Sequence, residues 1–510
     1  MMEALLGIDV GTTSTKAVLF DRTGTELARA ISPPYPNHTP NPGWVEQDPE
    51  DLWQAVLSVV RGVMAAVDRE VHVQALCMAT QSGSVLAVDA NGEPVYRFIT
   101  WMDGRTESLA NQWRENGFED QVKAVSGWSL YPGSCLLSIA WLHDHQPGVF
   151  AASQKYVSVN DFITFRLTGA YCTNPSNAGG MVLLDIHTGQ WSEDLCSLAA
   201  ITSDHLSPIQ PAGTVIGEIT PDICRATGLP KGTLLVNGGH DQGCTTLGLG
   251  IISPGKLLLA CGTAWVITGV TDSPEIDQAP SALELNFHPA PDRWTISQSL
   301  GGLGASLEWW INQAWRGVSG QVSRKEAFAA LDDELAQTQP GSGGLTFLPF
   351  TGGHVDGTMA KVGGFLGLQL DHSRADMARA IMESAAFELR WALEAIQEAS
   401  LPVDRLWMVG GAAQSTYWPA ILANASNVPI CLPRYDNWPA LGAAILAGIG
   451  IGLFESVDDG LSHFRKPVED IEPVEAMRTL YEANFASYKA FAQKLRMVPA
   501  KLQPEAWLPN

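Results

Sequence analysis

At 510 residues the chain is too long for one compact core, and two domains are expected. Apolar residues make up 45% and charged residues 17%, a balance that excludes extended disorder. The formal net charge of −23, with no run of Lys or Arg, excludes a basic surface for gripping nucleic acid. In chain order, residues 5–10 and 15–20 read as two apolar, β-branched strands around a turn of Gly11, Thr12, Thr13 and Ser14. A third strand is expected over 26–32. A helix follows over 48–67, with Leu52, Val56, Val59 and Val63 on one stripe, and the chain returns to strand over 73–79. Strands followed by helices indicate an α/β domain.

The second half opens the same way. Residues 256–261 form a strand, Gly262 and Thr263 a turn, and residues 264–268 a returning strand. The domain boundary is placed near 247–253, giving domains 1–248 and 249–510. The tail carries one helix over about 474–495 and a Pro-containing end. The eight cysteines form no C-x-x-C pair, so they read as buried free thiols in a reducing compartment rather than a zinc site. The start Met1-Met2-Glu3-Ala4 lacks the basic and apolar regions of a signal peptide, and the longest apolar stretch, 441–454, is too short to span a bilayer. A cytoplasmic protein with neither nucleic acid nor membrane as partner is expected.

No G-x-x-x-x-G-K-[ST] loop is present, so any ATP is bound without a P-loop. The Gly-Thr turns suit that purpose: glycine lets the backbone approach a phosphate, and freed N–H groups and hydroxyls donate to its oxygens. Each turn also suits a plain hairpin. Asp9 ends a buried strand beside the first turn, where a carboxylate suits Mg²⁺. Residues 234–236 form a strand that stops at Gly238 and Gly239, and Asp241 follows where a helix starts. That aspartate suits either a helix cap or a general base aimed at a substrate hydroxyl. His240 is given no catalytic role. Residues 405–409 run into Gly410 and Gly411, and Ser415 is expected to cap a helix reaching about 426; such a turn can take an anion or a nucleotide edge.

These segments resemble, in order and over nearly the whole chain, the motifs of the FGGY carbohydrate kinases. Leu-Gly-Ile-Asp-Val-Gly-Thr-Thr-Ser-Thr-Lys at 6–16 resembles the first phosphate motif, Gly-Gly-His-Asp-Gln at 238–242 the segment of the catalytic aspartate, Cys-Gly-Thr at 261–263 the second phosphate motif, and Val-Gly-Gly-Ala-Ala-Gln-Ser at 409–415 the adenosine motif. Residues 363–383 are similar to the family's second signature. The stretches 44–49, 100–105 and 160–169 resemble further family segments, with Asn160 standing where the family has Lys. The resemblance implies an α/β fold of two ribonuclease-H-like (actin-like ATPase) domains around a central cleft. Sugar would lie on the N-terminal side and ATP on the C-terminal side. It implies Asp241 as catalytic base and Asp9 as the Mg²⁺ ligand. Gly11, Thr12, Thr13, Lys16, Gly262, Thr263, Gly410, Gly411, Gln414 and Ser415 would hold ATP. Gln81, Ser82, Gly83, Trp101, Asp103, Arg105, Asp241 and Gln242 would hold sugar.

In length and layout the chain is similar to the xylulokinase branch, which implies D-xylulose as acceptor and D-xylulose 5-phosphate as product. Xylulokinases carry Gln-Met-His-Gly where this chain has Gln81, Ser82, Gly83 and Ser84, and glycerol kinases carry Arg-Glu at the positions of Ser82 and Gly83. Ser138 stands where the first family signature has Lys, and Gln242 where xylulokinases tend to have Asn. The kinase reading therefore extends to acceptors of the ribulose, gluconate, glycerol or erythritol type. A sugar or nucleotide sensor and an actin-like ATPase are the readings from other classes. The family also admits a homodimer.

Overall fold

The computed structural model describes residues 2–67, 71–276, 280–316, 322–349 and 363–496. The expected Pro-containing end of the tail lies outside them. Two mixed sheets organise the chain. The first is built from β1 (Met2–Val10), β2 (Thr15–Asp21), β3 (Glu26–Ile31), β4 (Val71–Thr80), β5 (Val215–Glu218) and β6 (Leu234–His240), in the order β3-β2-β1-β4-β6-β5. The second contains β7 (Gly255–Cys261), β8 (Trp265–Thr271), β9 (Glu284–Phe287), β10 (Trp294–Gly301), β11 (Val403–Gly410), β12 (Ile430–Pro433) and β13 (Val468–Ile471), in the order β9-β10-β8-β7-β11-β12-β13. In each sheet a hairpin of antiparallel strands leads, and two parallel neighbours follow: β1 pairs β2, then β4 and β6 join, as β7 pairs β8 before β11 and β12. These are two ribonuclease-H-like units, the duplicated α/β layout that the hairpin repeat implied.

The central strand β1 is buried along Ala4–Val10, which explains its nearly continuous apolar run. The helix Pro49–Ala65 starts at Asp48, whose carboxylate accepts from the Glu50 N–H, and Pro49 holds the first position. Its Leu52, Val56, Val59 and Val63 join the core beneath the first sheet. The second sheet buries the long helix Arg374–Glu398, which Ser373 and Asp376 start with a reciprocal cap. The tail helix spans Glu475–Arg496.

The two units are tied together. The helix Trp438–Gly450 follows the second sheet in sequence but packs on the first sheet and on the helix Asp241–Leu249. Gly442 makes that approach possible, because a Cβ there would stand 2.0 Å from the Cys244 carbonyl oxygen. A second tie is the β9 segment: Asn286 Nδ2 donates to the Ser176 carbonyl at 2.9 Å, and the Ser129 N–H donates to Glu284 at 2.8 Å. No helix among the described residues is long and apolar enough to cross a membrane. All eight cysteines are buried and free.

Candidate active site

The β1–β2 hairpin sets Asp9 opposite Lys16 in register, and Lys16 Nζ stands 3.8 Å from Asp9 Oδ2. The turn between them closes with a bond from the Gly11 N–H to the Ser14 carbonyl at 3.2 Å. The Asp9 side chain is 11% exposed and accepts no hydrogen bond from a described residue. Burial, followed by the negative charge of Asp241, pushes its carboxyl up to about 7, against a smaller pull downward from Lys16. Two carboxylates therefore share one electrostatic field across the ends of β1 and β6.

Asp241 is the first residue of its helix, and His240 holds the cap position without a side-chain bond. Asp241 Oδ1 accepts from the Gln242 N–H at 2.6 Å and stands 3.1 Å from His240 Nε2. These contacts fix the carboxylate and leave Oδ2 without a partner among the described residues. The buried Gln242 Oε1 has no donor among the described residues.

On the same side, Trp101 is 45% exposed and its indole N–H donates to Thr12 Oγ1 at 3.3 Å. Gln81 donates to Gln47 at 3.0 Å, and Gln47 donates to the Thr12 carbonyl at 2.7 Å. A polar chain thus links the expected sugar residues to the first phosphate turn, while Gln81 Oε1 is buried without a donor among the described residues. Thr13 is exposed at the outer side of that turn. Ser82 donates to the Asn177 carbonyl at 3.3 Å. Gly83 has φ +76°, and a Cβ there would meet the Tyr131 hydroxyl at 2.9 Å. Tyr131, which the motifs do not reveal, fills the place next to Gly83. Its hydroxyl has no hydrogen-bond partner among the described residues.

Asp103 and Arg105, expected to line the sugar site, are instead sealed behind it. Both side chains are 0% exposed. Arg105 pairs with Asp103 and with Glu46, each at 2.8 Å, and its guanidinium lies 3.9 Å from the Trp44 ring centre. Asp103 also accepts from the Val45 N–H at 2.6 Å. A buried pair so fully engaged braces the segment carrying Trp101.

Two cavities open on the other side. One of about 860 Å³ brings together Gly262, Thr263, Gly411, Gln414 and Ser415, with Asp332 on its wall. The other, of about 680 Å³, joins Asp9, Lys16 and Gln242 from the first unit to Gly410 and Gln414 from the second. Gln414 lines both. Ser415 follows a 3₁₀ turn over Gly411–Gln414 and is not at the cap position of the next helix: that position is held by Tyr417, and the helix begins at Trp418. The Ser415 hydroxyl still accepts from the Tyr417 and Trp418 N–H groups, at 3.3 and 3.2 Å. Asp332 and its neighbour Arg324 come from a separate helix, Arg324–Leu335, and carry no motif.

Two ribonuclease-H-like units, each with a glycine turn after its first strand, and an acidic pair at the strand ends of the first unit define a phosphotransferase of the actin-like ATPase class. Residues 4–248 match the N-terminal domain of the FGGY family of carbohydrate kinases and residues 257–451 match its C-terminal domain, so the chain belongs to that family and is a carbohydrate kinase. It is 27% identical to a xylulose kinase of Bacillus subtilis over 96% of each chain, and 28% identical to a gluconokinase of the same organism over 92% of this chain and 93% of that one. The crystal structure of xylulose kinase from Rhodospirillum rubrum matches with a TM-score of 0.88 and 26% identity, covering 97% of this chain and 99% of that one. Kinases of this family use ATP.

Proposed function

We propose that the protein transfers the γ-phosphoryl group of ATP to a hydroxyl of a small sugar, with D-xylulose as acceptor and D-xylulose 5-phosphate as product. One observation carries the reading: Asp9 of the first phosphate turn and Gln242, next to Asp241, line one cavity with Gly410 and Gln414 of the second unit. The acceptor hydroxyl attacks the γ-phosphorus, and its oxygen–phosphorus bond forms as the bond to the leaving ADP oxygen breaks. Asp241 Oδ2, the oxygen left open by Gln242 and His240, receives the hydroxyl proton. The donor-less amide oxygens of Gln81 and Gln242 accept from sugar hydroxyls, and Tyr131 adds a polar group beside Gly83. Thr12, Thr263 and the backbone of Gly11, Gly262, Gly410 and Gly411 hold the phosphates. The Gln414–Ser415 turn lies against the nucleoside.

A magnesium ion fits Asp9. Its carboxylate is buried, accepts no hydrogen bond from a described residue, and is destabilised as an anion by burial and by Asp241, so a cation relieves it. When bound, such an ion neutralises charge on the phosphate oxygens. Eight buried free thiols support a cytoplasmic setting. The family likeness allows a homodimer.

Ser82 and Gly83 weigh on the choice of sugar, because two small residues and Tyr131 shape this wall. The test is kcat/KM with Mg-ATP for D-xylulose, D-ribulose, gluconate, glycerol and erythritol. Preference for D-xylulose by at least about tenfold supports the proposed acceptor. Preference for another member reassigns it and keeps the kinase. Sugar binding without ADP formation by any of them favours a sensor.

A further inference from the structure

We propose that a third cavity, at the back of the junction between the two units, binds a small phosphorylated anion. The cavity measures about 550 Å³, and its walls include Ser253 of the linker, Lys256 and Trp407 of the second sheet, and Phe464, Arg465 and Lys466 beyond the helix Val457–His463. It shares Trp438 with the 680 Å³ cavity and no residue with the 860 Å³ one, so it is separate from the nucleotide side.

Its charge runs against that of the chain. With 54 acidic and 31 basic residues, a cation here has carboxylates in excess to pair with. Arg293 does so, 3.1 Å from Asp272. Lys256, Arg465 and Lys466 form no ion pair with any described residue. Lys256 reaches the Gly250 carbonyl at 3.5 Å and lies 5.9 Å from the Trp407 ring centre. Lys466 donates to the Gly24 carbonyl at 3.0 Å. Arg465 is exposed and has neither ion pair nor hydrogen bond among the described residues. One carboxylate, Asp458, lines the cavity. Lys466 also lies 5.0 Å from the Tyr435 ring centre, but neither a carbonyl nor a ring neutralises its charge. Cations lining one cavity without a paired carboxylate repel one another until an anion joins them, and a phosphate is matched by the fork of an arginine beside a lysine.

The helix Asp241–Leu249 ends at this cavity, and Lys256 already reaches the carbonyl of its cap residue Gly250. The phosphate therefore sits toward Arg465 and Lys466, with the body of the ligand against the half-buried Trp407 ring. Walls drawn from the linker and from both units make the site a place where occupancy bears on how the units move.

Inorganic pyrophosphate is the probe, titrated calorimetrically into the full chain with excess ADP filling the nucleotide side. The predicted result is binding that persists under ADP and weakens by at least about tenfold in Arg465→Gln, a substitution that removes no internal bond. Arg465→Glu, checked for folding by circular dichroism, abolishes it. Inorganic phosphate and a sugar monophosphate, titrated in parallel, tell whether the free ion or a phosphorylated metabolite is preferred. No binding, binding that ADP abolishes, or equal affinity in Arg465→Gln overturns the proposal.

Discussion

Asp9 and Asp241 are carboxylates in one field, but their surroundings differ. Asp9 is buried and accepts no hydrogen bond from a described residue, whereas Asp241 is held at one oxygen by Gln242 and His240. The Asp9 carboxyl lies at about 7 in the folded chain and at 3.8 unperturbed. Between those values the folded state keeps a proton that the unfolded state releases, so stability falls as pH rises through this window and the full cost persists above it. Asp9→Asn removes the cost. In nucleotide-free protein the variant should gain about 2–4 kcal/mol at a pH of about 8 and little at about 4, read by urea unfolding. A gain independent of pH contradicts the burial argument. Gly83 governs the sugar wall: Gly83→Ala forces an L residue into φ +76° against Tyr131. The sugar KM should rise by about tenfold while the ATP KM holds, since the strain costs about 1–2 kcal/mol. Equal rises in both would place Gly83 elsewhere in the mechanism. The sequence alone pointed to Gly83 through its departure from the family pair. It could not show Tyr131, because that contact joins residues far apart in the chain. Nor could it tell that Asp103 and Arg105 face each other and Glu46, since the segment pattern is the same whether the pair meets a ligand or braces a wall.

At the scale of elements, the hairpins were legible because each is local: an apolar strand, a Gly-Thr turn, an apolar return. The helix after β11 starts two residues later than Ser415 as its cap would give, because a bend over Thr416 and Tyr417 separates that serine from the first helical residue, and a bend leaves no periodicity to read. The edge strand β5 went unseen. It is short and only partly buried, so it shows little alternation. The meeting of the helices Asp241–Leu249 and Trp438–Gly450 was also out of reach, since nothing near Gly442 in sequence names Cys244 as its neighbour. That meeting is testable. Gly442→Ala drives a Cβ to 2.0 Å from the Cys244 carbonyl, and the helix backbones must part. A loss of about 1–3 kcal/mol is predicted, seen as a lower Tm, together with a reduced kcat because Asp241 opens one of the two helices. An unchanged Tm would show that the helices separate freely.

Across the whole molecule, the order of the two sheets was foreshadowed by the repeated hairpin, while the ties between the units came only from three dimensions. β9 reaches the N-terminal side at Ser129 and Ser176, and the helix Trp438–Gly450 spans both units. A cleft bordered by such ties closes by rotation about them, and exclusion of water is what a kinase needs to avoid spending ATP on hydrolysis. Small-angle scattering should show a smaller radius of gyration with sugar plus a non-hydrolysable ATP analogue than without ligands; superimposable profiles contradict closure. The central claim, a sugar kinase with Asp241 as its base, meets its most direct test in ADP release and sugar phosphate formation, followed together for the wild type and Asp241→Asn across the acceptor panel. The expected result is one sugar phosphate per ADP for the best acceptor, and a kcat lower by about 10²–10⁴-fold in the variant with the ATP KM little changed. ADP formed without sugar phosphate, or a variant as fast as the wild type, contradicts it.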